Sequence, residues 1–305
     1  MKTIVTAGEK FADIDVLACA IAYAELLNLE GKPSEAVIPG SLNSSITKTI
    51  KSWDLKYVTA PSDPNYEVVL VDISELSHIA KFVKLENIIE VYDHHFGFEE
   101  FWKERISENA HIEPVGACAT QIWEEYKKRG LAASISPVSA NLLATAILSN
   151  TLNFGASITH ERDRAAFTEL LQHITMPEGW QKVYFNEVSE NIFTDIEVAI
   201  KNDTKTPKIP TIDFPLAIGQ VELWDGSKFI TENRNVIASV LGKFGTDWFM
   251  TVPSLSEKKN YLYSESERVQ GLLFRALGIS FQDNIGITSK ITLRKEIIKK
   301  LLDLK

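Results

Sequence analysis

Short runs rich in β-branched residues stop again and again at acids, and this repetition constrains the chain more than any other feature. Thr3-Ile-Val-Thr-Ala7 gives way to Gly8-Glu9-Lys10-Phe11-Ala12-Asp13-Ile14-Asp15, and Glu67-Val-Val-Leu-Val71 closes on Asp72. Ile88-Ile-Glu-Val-Tyr92 closes on Asp93-His94-His95, followed by Phe96 and Gly97. Such runs read as buried strands, and Ser34 to Ile38 is a further candidate. Helical patterns at Val16 to Leu29, Ala117 to Arg129 and Ser139 to Leu148 alternate with them. The alternation predicts β-α-β units in a doubly wound, mainly parallel α/β sheet. Ligands of such sheets bind beyond the carboxyl ends of the strands. The acids should therefore gather along one edge.

A helix is expected over Arg162 to His173, a break at Met176-Pro-Glu-Gly-Trp180, and helix again from about Glu187 to Ile200. The domain boundary falls near Glu190, dividing the chain into 1–185 and a smaller mixed α/β domain at 186–305. That second domain should hold strands around Phe214 to Glu222, Trp248 to Val252 and Tyr261 to Ser264. Its helices should lie around Val236 to Lys243 and Ser266 to Leu277, before the closing segment Ile291 to Lys300.

With 305 residues, 45% apolar and 24% charged, the chain has the balance of a folded globular protein. No apolar run reaches the length of a membrane span, and the first strand begins too early to leave room for a leader, so a cytoplasmic location is expected. A net charge of −9 argues against extended nucleic-acid binding, though a local basic patch stays open. Cys19 and Cys118 sit in Ala-rich helical surroundings and read as buried free thiols.

Glu9, Asp13, Asp15, Asp72, Asp93, His94 and His95 all fall at or just beyond proposed strand ends. Each acid taken singly reads as a helix cap or turn residue. Brought together, they would repel one another and take up protons unless cations neutralised them, so the group reads as a metal site. Mixed carboxylate and imidazole ligation suits Mn²⁺, with Mg²⁺ favoured as the oxygen share rises. Two ions sharing a carboxylate could activate a water and clamp a phosphoryl group.

Gly8 to Asp15, Val71-Asp72, Asp93-His94-His95, Pro114-Val-Gly116-Ala-Cys-Ala-Thr120 and Leu148-Ser-Asn150-Thr-Leu-Asn-Phe154 recur in the order found in the DHH phosphoesterase superfamily, which the chain resembles over nearly its whole length. Within it, the sequence is similar to the branch of manganese-dependent (family II) inorganic pyrophosphatases, exopolyphosphatases and prune-like proteins. Asn202-Asp203-Thr204-Lys205 resembles the opening motif of the type 2 DHH-associated domain, and Leu293-Arg294-Lys295 its terminal motif. The resemblance implies a DHH metal-binding domain at 1–185 and a type 2 associated domain at 186–305. It also implies one ion on Glu9, Asp13 and Asp72 and another on Asp15, Asp72, His94 and Asn150. His95 would then face the phosphate, with Arg294 and Lys295 holding the substrate. On sequence alone those last two also fit a solvated basic helix face with Lys299, Lys300 and Lys305.

Three departures from the pyrophosphatase pattern stand out. Glu9 replaces a His, Asn150 replaces an Asp, and a lysine near the interdomain linker has no clear counterpart around Ile192 to Asp195. The first ion should therefore see an all-oxygen protein shell favouring Mg²⁺, and a neutral Asn150 should weaken the second ion. Arg162, Asp163 and Arg164 read as a solvated helix start. Three readings follow: a metal-dependent phosphohydrolase acting on pyrophosphate or polyphosphate, a catalytically weakened phosphate- or nucleotide-binding regulatory protein, and a small-oligonucleotide or nucleotide phosphodiesterase. The expected partner is a small phosphorylated polyanion, with no membrane involvement; a homodimer is compatible with the resemblance.

Overall fold

The computed structural model describes residues 1–304, with the side chain of residue 191 outside the description. Lys305, counted above in the basic tail, lies outside the described residues. The chain divides into two compact units, Met1–Phe154 with Ile158–Tyr184 and Gly155–Ser157 with Phe185–Lys305.

The first unit contains strands β1 (Lys2–Thr6), β2 (Phe11–Ala12), β3 (Ser34–Val37), β4 (Ser41–Leu42), β5 (Tyr66–Val71), β6 (Ile88–Asp93) and β7 (Ala110–Ile112). Its helices are α1 (Ile14–Leu29), α2 (Lys48–Lys51), α3 (Glu99–Ile106), α4 (Cys118–Lys128), α5 (Pro137–Asn150) and α6 (Glu161–Leu170). The main sheet runs β3-β1-β5-β6-β7, every pair parallel, as the strand and helix alternation predicted. Its order reverses between β1 and β5, and crevices at such switch points are where doubly wound sheets bind ligands. The acid-rich segments 8–15 and 72–75 leave the sheet at that point.

Helix α1 explains how the switch point is framed. Asp13 caps it by accepting from the backbone N–H groups of Asp15 and Val16. It is apolar on all sides and buried through Leu27 apart from Glu25, as expected of a helix enclosed by protein. Asp15, read from the sequence as part of an acidic loop, lies instead in its first turn and is fully buried. The sequence reading also passed over α3, whose Trp102 is buried among Ile4, Val68, Leu70 and Val91 and donates its indole N–H to the Ser74 carbonyl.

The second unit holds α8 (Ile196–Asn202), β8 (Thr204–Lys205), β9 (Ala217–Gln220), α9 (Phe229–Leu241), β10 (Trp248–Ser254), β11 (Lys259–Tyr263), α10 (Glu267–Leu277), β12 (Phe281–Gln282), β13 (Ile285–Ile287) and α11 (Arg294–Leu302), while α7 (Trp180–Thr194) runs across the division of the chain. Its mixed sheet is ordered β12-β13-β11-β10-β9-β8. Alternation gives this sheet two cores. Trp248, Met250, Val252, Tyr261 and Tyr263 join one, whereas Phe249 and Leu262 join the other with residues of α10 and α11. Among the described residues no helix is long and apolar enough to cross a membrane.

One contact in the first unit corrects the sequence reading. Asp163, expected on a solvated helix start, is completely buried in the first turn of α6. Its carboxylate accepts from the Gly116 N–H at 2.9 Å, the Thr120 hydroxyl at 2.6 Å and the His160 N–H at 2.7 Å. The loop before α4 is thereby tied down from outside itself. Gly116 is required for so close an approach, since a Cβ there would lie 2.6 Å from an Asp163 oxygen. Arg162 is committed too, pairing with Glu113 and Glu124. Replacing Asp163 with Ala strands the buried donors of Gly116 and Thr120, and is expected to lower stability by about 3 kcal/mol in urea unfolding. Asp163→Asn, which keeps one acceptor oxygen, should cost less.

Candidate metal centre

Asp72 follows β5 directly and takes a left-handed backbone conformation, φ 55°, with its N–H on the Tyr92 carbonyl. Aspartate tolerates this region better than most residues, and strain of this kind is common where a side chain is aimed for function. The turn brings its carboxylate to His94 and His95 at the end of β6. One ligand atom from each of the three lies within 4.8 Å of the other two.

The histidines are held differently. His94 is nearly buried, with Nδ1 3.1 Å from the Val115 carbonyl and Nε2 3.3 Å from Asp72 Oδ1. Burial opposes its charge, but Asp72 and Asp15 outweigh that and hold it up to about 10. His95 is exposed, and its Nδ1 lies 2.8 Å from Asp93 Oδ1. That hydrogen bond raises its pKa, and Asp93 also accepts from the backbone N–H groups of His94 and His95. Burial opposes the charge on Asp93, yet the His95 contacts keep it below the usual range.

The donors present fit a divalent cation. Asp93 Oδ2 is buried with no hydrogen-bond partner among the described residues, and buried Asp72 Oδ1 makes no well-formed hydrogen bond but faces the His94 imidazole at 3.3 Å and the His95 ring at 3.9 Å, so both oxygens keep lone pairs that a cation would use. Burial, with Asp15 and Asp13 nearby, pushes Asp72 up to about 8. A carboxyl this reluctant to ionise is what a bound cation would relieve. Imidazole with carboxylate is a donor set for Mn²⁺.

Burial pushes Asp15 up as well, but its oxygens are paired. Oδ2 accepts from the Cys118 N–H at 2.8 Å and from the Asn150 amide, while Oδ1 accepts from the Ala119 N–H at 2.9 Å and the Cys19 thiol at 3.4 Å. An ionised carboxylate offers about four lone-pair sites, and these donors use them. Asn150 therefore supplies from within the protein what a second ion would supply. Asp13 lines the cavity in front of the cluster, with Oδ1 committed to capping α1. Glu9 lines it as well and pairs with Lys81 at 3.0 Å. The structure thus gathers Asp72, His94 and His95 tightly, sets Glu9 and Asp13 around the same cavity, and closes Asp15 and Asn150 on each other.

In the second unit, Arg294 and Lys295 open α11. Arg294 is buried, and its guanidinium donates to Asp203 Oδ1 at 2.6 Å and to the Asp203 carbonyl. Lys295 is exposed and has no ion pair among the described residues. Half-buried Glu222 accepts from Gln220, and burial followed by the charge of Asp203 pushes it up to about 7. The sequence reading missed Glu222 and Asp163 because each depends on contacts distant in the chain. The spacing of His160 and Asp163 at the start of α6 was the one local hint of the latter, as a capping box.

The chain is 26% identical over 314 residues to a probable manganese-dependent inorganic pyrophosphatase of an Exiguobacterium species, spanning 99% of this chain and 98% of the relative. It is 24% identical over 307 residues to a protein of the same description from Bacillus mycoides, with the same coverage. Among solved structures it resembles a Methanococcus jannaschii protein provisionally described as a family II inorganic pyrophosphatase, with TM-score 0.62, 20% identity and 98% of both chains covered. It also resembles an exopolyphosphatase-related protein from Bacteroides fragilis, with TM-score 0.53, 13% identity, and 98% of this chain and 90% of that one covered. These two establish the fold. No family model matches the chain.

Two outcomes follow from the geometry. In calorimetric titration the native chain should take up one Mn²⁺ tightly, and Asn150→Asp should gain a second site while losing about 1–3 kcal/mol of metal-free stability. Two equally tight sites in the native chain would contradict this. Glu222 ionises later in the folded than in the unfolded chain, so folding weakens as pH rises from its ordinary value of 4.5 towards about 7. The Tm of Glu222→Gln should accordingly fall less than that of the native chain between about pH 5 and about pH 8.

Proposed function

We propose, for a chain related over its full length to manganese-dependent inorganic pyrophosphatases, that it hydrolyses phosphoanhydride bonds in a small polyanion with the help of divalent ions. The observation that carries this reading is the cluster of Asp72, His94 and His95 at the sheet's switch point, with a buried Asp72 oxygen facing both imidazoles. Glu9, Asp13 and Asp72 are the proposed ligands of the principal ion. Asp15, Asp72, His94 and Asn150 would hold a second, weakened one. Bound ions supply Lewis acidity towards phosphoryl oxygens and a water of lowered pKa.

The residues of the chain do the rest. Asp93 engages Nδ1 of His95, and the role proposed for the Nε2 of that ring is to pass a proton to the departing phosphate. Asp163 fixes Gly116 and Thr120, and so the first turn of α4, whose N–H groups hold Asp15. In the second unit, read as a type 2 DHH-associated domain, Arg294 and Lys295 are the proposed phosphate ligands. Lys295 is the cation of the two not already paired, at a helix N-terminus that favours anions.

The saturation of Asp15 by Asn150 favours one competing reading, a phosphate-binding regulator with little turnover. Phosphate release from pyrophosphate, tripolyphosphate, a cyclic dinucleotide and a dinucleotide, with Mn²⁺ or Mg²⁺, separates the two. The hydrolase should cleave the first pair, lose activity to background in Asp72→Ala, and lose about 10²–10⁴-fold in kcat in His95→Gln. Binding of phosphate compounds without turnover of any would favour the regulator.

A further inference from the structure

The cavity beside the cluster has a volume of about 370 Å³. Asp13, Asp72 and His95 line it together with Phe11, Ile73 and Phe96. Phe11 is 61% exposed and Phe96 66% exposed. Isolated exposed apolar side chains are ordinary on protein surfaces. Two exposed phenylalanines lining one cavity beside a charged cluster are less so, because ligand sites combine apolar and aromatic lining with a few polar groups.

Both rings are displayed by backbone that is held in place. Phe11 and Ala12 form β2, paired with Ser41 and Leu42 of β4, and strand alternation buries Ala12 while turning Phe11 outward. Behind Phe11 the chain passes so close that a Cβ on Gly40 would lie 2.8 Å from the Phe11 nitrogen. Phe96 precedes Gly97, whose φ of 119° suits glycine, and the Gly97 N–H donates to Glu99 Oε2 at 2.9 Å. Neither ring stacks on another aromatic side chain of the described residues.

Pyrophosphate and polyphosphate have no apolar surface and gain nothing from these rings. A nucleobase does, because every base has a π-face that stacks on aromatic side chains whatever its identity. The cavity volume falls within the range of sites that hold small organic ligands. We propose that the phosphoanhydride taken by this site is carried by a nucleoside, its base lying on Phe11 and Phe96 and its phosphates facing the acids. The inference rests on the hydrolase reading above. With ADP, the water oxygen bonds to the terminal phosphorus and the bridging P–O bond breaks. The bridging oxygen stays with the nucleotide, and the products are AMP, inorganic phosphate and a proton.

The test compares hydrolysis of ADP and ATP with that of pyrophosphate and tripolyphosphate by the full chain in Mn²⁺. The native chain should show a KM for the nucleotides about tenfold or more below that for the ring-free compounds. In Phe11→Ala and Phe96→Ala the ratio of kcat/KM for ADP over that for pyrophosphate should fall by about tenfold. Phe11→Tyr, which keeps a ring, should retain the native ratio. Preference for pyrophosphate in the native chain, or an unchanged ratio in both alanine variants, overturns the inference and leaves the hydrolase reading standing. Hydrolysis of none of the four compounds removes both.

Discussion

Burying a carboxylate costs several kcal/mol unless donors or a cation replace its water, and the character of this site depends on how the chain meets that cost at Asp15 and at Asp72. Asp15 is met from within, by two N–H groups of α4, an amide and a thiol. Asp72 is met less fully: one of its oxygens is buried with the His94 imidazole 3.3 Å away and no well-formed hydrogen bond. The first carboxylate acts as structure, locking α1 to α4 and α5. The second is held in a strained turn beside two imidazoles, where a bound cation would relieve it.

The loop around Gly116 shows how the two roles are coupled. Asp163 fixes that loop, the loop leads into the first turn of α4, and the Cys118 and Ala119 N–H groups there hold Asp15 in the turn that Asp13 caps. A disturbance far along the chain therefore reaches the switch point through hydrogen bonds of fixed direction. Rigidity of this kind keeps like charges close together without letting them relax apart, and it lets one cluster stay ready for an ion.

Much of this was legible in the residues. The parallel sheet followed from β-rich runs alternating with helical segments, and the gathering of Asp72, His94 and His95 followed from two of those runs ending in these residues. Both signals are local. What escaped the sequence depends on contacts between distant positions. The bond between Asn150 and Asp15 spans 135 residues, and nothing around Asn150 announces that its amide would occupy a carboxylate lone pair. Asp163 looked solvated because its neighbours are charged, and only the fold shows the arginine beside it paired and the acid itself turned inward. The outward turn of Phe11 was hidden as well, since a strand of two residues leaves no periodic pattern to read.

That two-residue strand carries an implication about how such a segment can change over evolutionary time. Between Gly8 and Asp13 the chain must turn one ring outward, bury one methyl group and arrive in register to cap α1. Side chains along it can be exchanged one at a time. Adding or removing a single residue would swap the faces of Phe11 and Ala12 and pull Asp13 off the helix end together. The length of this segment should therefore drift far more slowly than its composition.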